Sequence, residues 1–96
     1  MTAVFHPDVQ QDVSRILRHY DRINPRLGDE FWTELLAFVE KAATHPQRFH
    51  FDANGRRRVN LKRFPFHILF REIPGAIRIL VVRHNRQHPQ TGEHRR

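Results

Sequence analysis

The hydrophobic period of this chain changes once, at His45-Pro46, and that change limits what it can fold into. Before it, apolar residues recur at spacings of three and four. After it, they alternate with polar ones. The first pattern lays an apolar stripe along a helix, and the second lays an apolar face on a strand. Helices followed by strands, in separate blocks, is the order of an α+β fold.

In the first block Val9, Val13, Ile16, Leu17, Tyr20 and Ile23 predict one amphipathic helix, with Gln10, Asp12, Ser14, Arg15, Arg18 and Asp21 on its other face. His6-Pro7-Asp8 supplies its start signal, since Pro suits the first helical position and Asp complements the helix dipole. Asn24-Pro25 repeats that signal. A second helix then carries Leu27, Phe31, Leu35, Phe38 and Ala42 in one stripe, widened by Trp32, Leu36, Val39 and Ala43. It ends before His45-Pro46, because a residue preceding Pro is pushed out of helical geometry. Two helices joined this tightly run antiparallel, as a helical hairpin.

In the second block three strands are expected, around Val59, Phe66–Arg71 and Ile77–His84, with turns at Asn54-Gly55 and Pro74-Gly75. Ala3-Val4-Phe5 can add a short edge strand, and Phe49–Phe51 another. Strict alternation places Val59, Leu61, Phe66, Ile68, Phe70, Ile77, Ile79 and Val81 on the face the hairpin covers. Arg58, Asn60, Lys62, His67, Arg71, Arg78 and His84 fall on the other face, around a floor of Leu69, Leu80 and Val82. The expected architecture is an N-terminal antiparallel helical hairpin on one face of a three- to four-stranded, mainly antiparallel sheet.

The chain has 96 residues, the size of one small domain. It contains no Cys, which excludes disulfides, a thiol nucleophile and thiolate zinc sites. No apolar run approaches the ~20 residues that span a bilayer, and no secretory leader is visible, so a cytoplasmic protein without a membrane partner is expected.

Charge is the first functional clue. Residues 1–50 carry six bases against seven acids, whereas residues 51–96 carry eleven bases against Asp52, Glu72 and Glu93. Arg outnumbers Lys by 15 to 2. Arg presents a planar fork of donors that matches phosphate and carboxylate, so a polyanionic partner is indicated. Arg56, Arg58 and Lys62 alternate onto one face at a spacing that suits successive phosphates. In Arg83-His84-Asn85-Arg86-Gln87-His88-Pro89, a His beside Arg suits proton transfer next to a held phosphate. No phosphate-cradling Gly-rich loop, nucleophile elbow, metal-ligand set or carboxylate pair is present, and no cofactor is expected.

Phe5-His6-Pro7-Asp8-Val9 with Tyr20, Asn24-Pro25, Phe31, Leu35 and His45-Pro46 resembles the helical half of the RelE/ParE toxin superfamily. Arg58, Phe64-Pro65-Phe66-His67-Ile68 and Val81–Pro89 resemble its sheet half. The resemblance implies one toxin domain over residues 1–90, followed by a basic, flexible tail over residues 91–96. It implies the toxin of a bacterial type II toxin–antitoxin pair, silenced by a cognate antitoxin that covers its helices or its basic face. Two activities follow from the superfamily. A RelE-like member cuts mRNA on the ribosome, and that branch places catalysis on Arg58, Lys62, His84 and Arg86. Arg56, Arg58, Lys62, Arg71, Arg78, Arg83, Arg86 and His88 would then hold the nucleic acid. The sequence departs from that branch in having no aromatic residue after Arg86. A ParE-like member instead inhibits DNA gyrase and needs no catalytic set. The clustered cations beside two His tilt the reading to mRNA cleavage, with gyrase inhibition next and a non-catalytic RNA-binding module third.

Overall fold

The computed structural model describes residues 1–96. Its elements run β1 (Thr2–Phe5), α1 (Val9–Ile23), α2 (Pro25–Thr44), a 3₁₀ turn (Pro46–Arg48), β2 (Arg57–Asn60), β3 (Phe66–Ile73) and β4 (Ala76–His84). The sheet order is β1-β4-β3-β2. β2, β3 and β4 pair antiparallel, whereas β1 lies parallel to β4, with Thr2 opposite Ala76 and Phe5 opposite Ile79. A parallel pair needs a long crossover, and the helical hairpin supplies it. The α+β architecture read from the sequence is therefore present, with four strands.

Local chemistry explains the element boundaries. Asn24 ends α1 and starts α2, its Oδ1 accepting the Arg26 amide at 3.0 Å, with Pro25 at the first helical position. Gly75, at φ +73°, turns β3 into β4 behind Pro74 in a conformation that L side chains rarely adopt. Phe51 makes only an isolated bridge to Arg57, so no further strand forms there.

The core lies between the hairpin and one sheet face. Val9, Val13 and Ile16 of α1 and Phe31, Leu35, Val39 and Ala42 of α2 pack on Val59, Phe66, Ile68, Phe70, Ile77 and Ile79. Tyr20, Phe31, Phe64 and Phe66 form an aromatic cluster with ring centroids 5.1–6.2 Å apart, several edge to face.

Strict alternation fails at one place. Leu69 pairs with Val81 but Phe70 pairs with Ile79, so β4 carries an extra residue, Leu80. A bulge sets two residues against one and reverses the parity beyond it. Leu80 and Val81 accordingly join Leu69 in a small cluster on the far face, and Val82 joins the main core. The expected positions of Val81 and Val82 are thus exchanged. His84 moves with them to the helix side, its ring 5.1 Å from that of Phe66 and edge to face.

The far face is only partly open to solvent. Residues 85–96 descend across it in successive turns, closed by Gln87, Thr91, Glu93 and Arg95 amides donating to the carbonyls of His84, His88, Gln90 and Gly92. Where a free tail was expected over residues 91–96, Gly92 presses on Val81 and Arg95 reaches buried Asp12.

Candidate functional site

The basic sheet face is assembled from β2, β3, β4 and this C-terminal strap. At its centre is His67 of β3, buried beneath the strap. Its Nε2 accepts from Arg83 Nε at 2.8 Å, which leaves Nδ1 to donate to Asn85 Oδ1 at 2.8 Å. Burial drives its pKa down to about 4, and the Arg58 and Arg83 charges act in the same direction against the bond to Asn85. The imidazole is therefore neutral at pH 7 and holds the start of the strap to the sheet.

Arg83 itself is buried. Its Nη1 donates to the carbonyls of Pro89 at 2.8 Å and Thr91 at 2.9 Å. Arg56 is also buried, with Nε and Nη2 on Asp52 Oδ2 at 3.2 and 3.1 Å and Nη1 on the Gly92 carbonyl at 3.4 Å. Burial would raise the Asp52 pKa, but the Arg56 and Asn54 amides and the Arg56 guanidinium outweigh it and hold the pKa low. Arg78 gives its Nε to the Arg96 carbonyl at 2.9 Å. Three cations expected to meet nucleic acid, Arg56, Arg78 and Arg83, thus grip the chain's own C-terminal backbone.

The remaining expected residues are scattered. Arg58 is exposed on the far face and donates to Asn60 Oδ1 at 2.9 Å. Arg71 is exposed opposite Arg78. Lys62 is exposed in the loop after β2, where its amide and that of Arg63 donate to Glu34 Oε1 of α2 at 2.6 and 3.0 Å. His84 lies on the helix side, its Nδ1 accepting the Arg86 amide at 3.0 Å. Arg86 and His88 are exposed in the strap, and His88 Nδ1 accepts the Gln90 amide at 3.1 Å. Within the expected catalytic set only Arg86 and His84 are hydrogen-bonded to each other, through the Arg86 backbone. Arg58 and His84 occupy opposite faces of the sheet.

Sequence reasoning missed the group that fastens the strap. Asp12 of α1, assigned to the polar face, is buried. Its Oδ2 accepts from Arg95 Nη1 at 2.6 Å and from the Val82 amide at 3.1 Å, and its Oδ1 accepts from Arg95 Nη2 at 3.1 Å. Asp12 meets the edge of β4 just beyond the last β1 pairing, at Phe5 and Ile79, and takes the amide that a longer β1 would have paired. The signal was available: Asp12 lies three residues after Val9 and four before Ile16, within the apolar stripe.

A second surface has different chemistry. Between β1, α1 and α2 runs a groove of about 620 Å³ whose apolar lining is Phe5, Val9, Val13, Leu17, Trp32 and Leu35, with Gln10, Ser14, Asp21 and Asp29 also lining it. Phe5 is 45% exposed and Trp32 43%, and Leu36 beside them is also exposed. Large apolar side chains grouped on a surface mark a protein contact.

Residues 3–89 match the family model described as "ParE toxin of type II toxin-antitoxin system, parDE". The fold is similar to that of a solved structure from P. aeruginosa described as "Chromosomal ParDE TA system". The TM-score is 0.77 and the identity 22%, covering 88% of this chain and 95% of that one. No curated protein matches the chain. The family match spans nearly the whole chain, from β1 into the strap, and the chain belongs to the ParE toxin family of type II toxin–antitoxin systems.

Proposed function

We propose that this toxin arrests growth by a protein contact that inhibits DNA gyrase, and that it cuts no RNA. The observation that carries this reading is the use of the basic face. Arg56, Arg78 and Arg83 hold the strap, and His67 is neutral beneath it. General acid–base cleavage needs a titrating group and a phosphate-holding cation within reach of one scissile bond. Here Arg58 lies on the sheet face opposite His84, Lys62 sits in the loop after β2, and of the expected cations only Arg86 stays next to His84. The family match favours the same branch of the superfamily.

The antitoxin is the partner that the family implies, and its seat in this reading is the apolar groove rather than the basic face. Phe5 and Trp32 offer apolar anchors to an amphipathic segment, and the net charge of +7 steers an acidic partner towards the molecule although the groove itself carries Asp21 and Asp29. The test is to induce the chain alone and map mRNA 5′ ends during the arrest. Growth arrest without new ends at ribosome-held codons is expected. New ends at those codons would overturn the reading in favour of RNA cleavage.

A further inference from the structure

We propose that the arginine stripe of α1, formed by Arg15, Arg18 and Arg22, docks on the sugar–phosphate backbone of duplex DNA. Positions 11, 15, 18 and 22 of a helix fall within an arc of about 60°. Gln11 therefore joins the three arginines in one solvent-facing stripe. From Arg15 to Arg22 the helix rises about 10 Å, a length along which one strand of B-DNA presents about three phosphates.

The stripe is left uncompensated by the way α1 packs. Neither Arg18 nor Arg22 lies within ion-pair distance of a carboxylate. Arg22 Nε donates only to the Arg18 carbonyl, at 3.3 Å. Asp21 turns towards α2, where its carboxylate occupies the space beside Gly28. Asp12 is committed to Arg95, and although Arg15 Nη2 reaches Asp12 Oδ1 at 3.3 Å, the Arg15 side chain stays 60% exposed.

The composition of the stripe selects the partner. Tight protein–protein contacts centre on apolar or aromatic anchors in dry pockets. Between Gln11 and Arg22 the exposed arc carries none, and the cleft beside it is lined by Gln10, Gln11, Ser14, Arg15 and Arg18 alone. Backbone phosphates ask for donors and nothing else, and guanidinium forks meet that need. The apolar groove runs alongside this cleft, the two sharing Gln10 and Ser14, so a protein seated in the groove would lie next to a DNA segment on the stripe. This deepens the gyrase reading and rests on it only for the source of the DNA, the segment that the enzyme holds.

The test is fluorescence anisotropy of the purified chain with a labelled 20-base-pair duplex, from 50 to 200 mM KCl. The R15A/R18A/R22A variant is compared with the wild type and with an equal-charge control, R58A/R71A/K62A. Each phosphate contact adds about 0.9 to the slope of log affinity against log salt, so losing three lowers it by about 2.7. The expected result is that loss in the stripe variant, the same for unrelated duplexes, with the control close to wild type and thermal melts unchanged. A wild type that does not bind duplex, or a control that loses as much as the stripe variant, overturns the proposal. So does a stripe variant that keeps its DNA affinity but loses the antitoxin, which would assign the stripe to an acidic protein. Gyrase inhibition is read separately: its absence in the wild type refutes the gyrase reading and leaves the DNA result standing.

Discussion

Replacing Asp12 with Ala should release the C-terminal strap and destabilise the whole fold. The carboxylate is 2% exposed and the Arg95 side chain 8%, joined by two hydrogen bonds at 2.6 and 3.1 Å. Removing one partner of such a pair leaves the Arg95 charge with only the longer contact to Asp8, 3.7 Å from its Nε, a loss of about 3–5 kcal/mol. The Val82 amide, now without its acceptor, lies within that sum, since an unsatisfied buried donor costs about 1–3 kcal/mol. A chain of this length holds about 5–14 kcal/mol in total, so the variant keeps little reserve. Urea unfolding followed by the fluorescence of Trp32, the only Trp, measures the loss. With an m value of about 1–2 kcal/mol per molar, the midpoint should fall by about 1.5–5 M. D12A/R95M removes the stranded cation as well, and should recover at least about 1 kcal/mol relative to the sum of the two single changes. A loss below about 1 kcal/mol in D12A, or strict additivity in the double variant, would refute the claim that this pair fastens the strap.

Stability should also fall between pH 6.5 and pH 4. His67 binds its proton more weakly in the folded chain, at about 4, so the unfolded state takes up more protons in that window and is favoured as pH drops. About 2 kcal/mol should be lost between pH 7.5 and pH 5, and H67Q should remove most of that dependence in urea titrations. Gly92 sits at φ +76° with Val81 where a Cβ would stand, so Gly92→Ala should cost about 1–3 kcal/mol and expose strap amides to hydrogen exchange. Trp32→Glu puts a charge into the apolar groove and should weaken antitoxin binding at least about tenfold by calorimetry, with an unchanged melt. If the toxin acts by a protein contact on gyrase, Arg86→Ala should leave toxicity intact on plates.

The sequence was most informative where chemistry is local. Asn24-Pro25, His45-Pro46 and Pro74-Gly75 each constrain the backbone by themselves, and the helix and strand periods needed no tertiary information. Parity past Leu80 was not readable, because a bulge depends on how two strands pair and leaves no mark in the alternation of one. That Arg56, Arg78 and Arg83 hold the strap was not readable for a related reason. Counting cations along strands shows which side they take, but not whether backbone carbonyls from residues 89–96 will occupy them. Asp12 carried a signal in its place on the apolar stripe, yet its partner lies 83 residues away, and no local pattern pairs the two.

The most direct test of the central claim is a supercoiling assay with purified gyrase, relaxed plasmid and this chain, repeated with the cognate antitoxin in excess. Inhibition of supercoiling that the antitoxin relieves is the expected result. Full supercoiling in the presence of chain that arrests growth in cells would contradict the account and return attention to Arg58, His84 and Arg86.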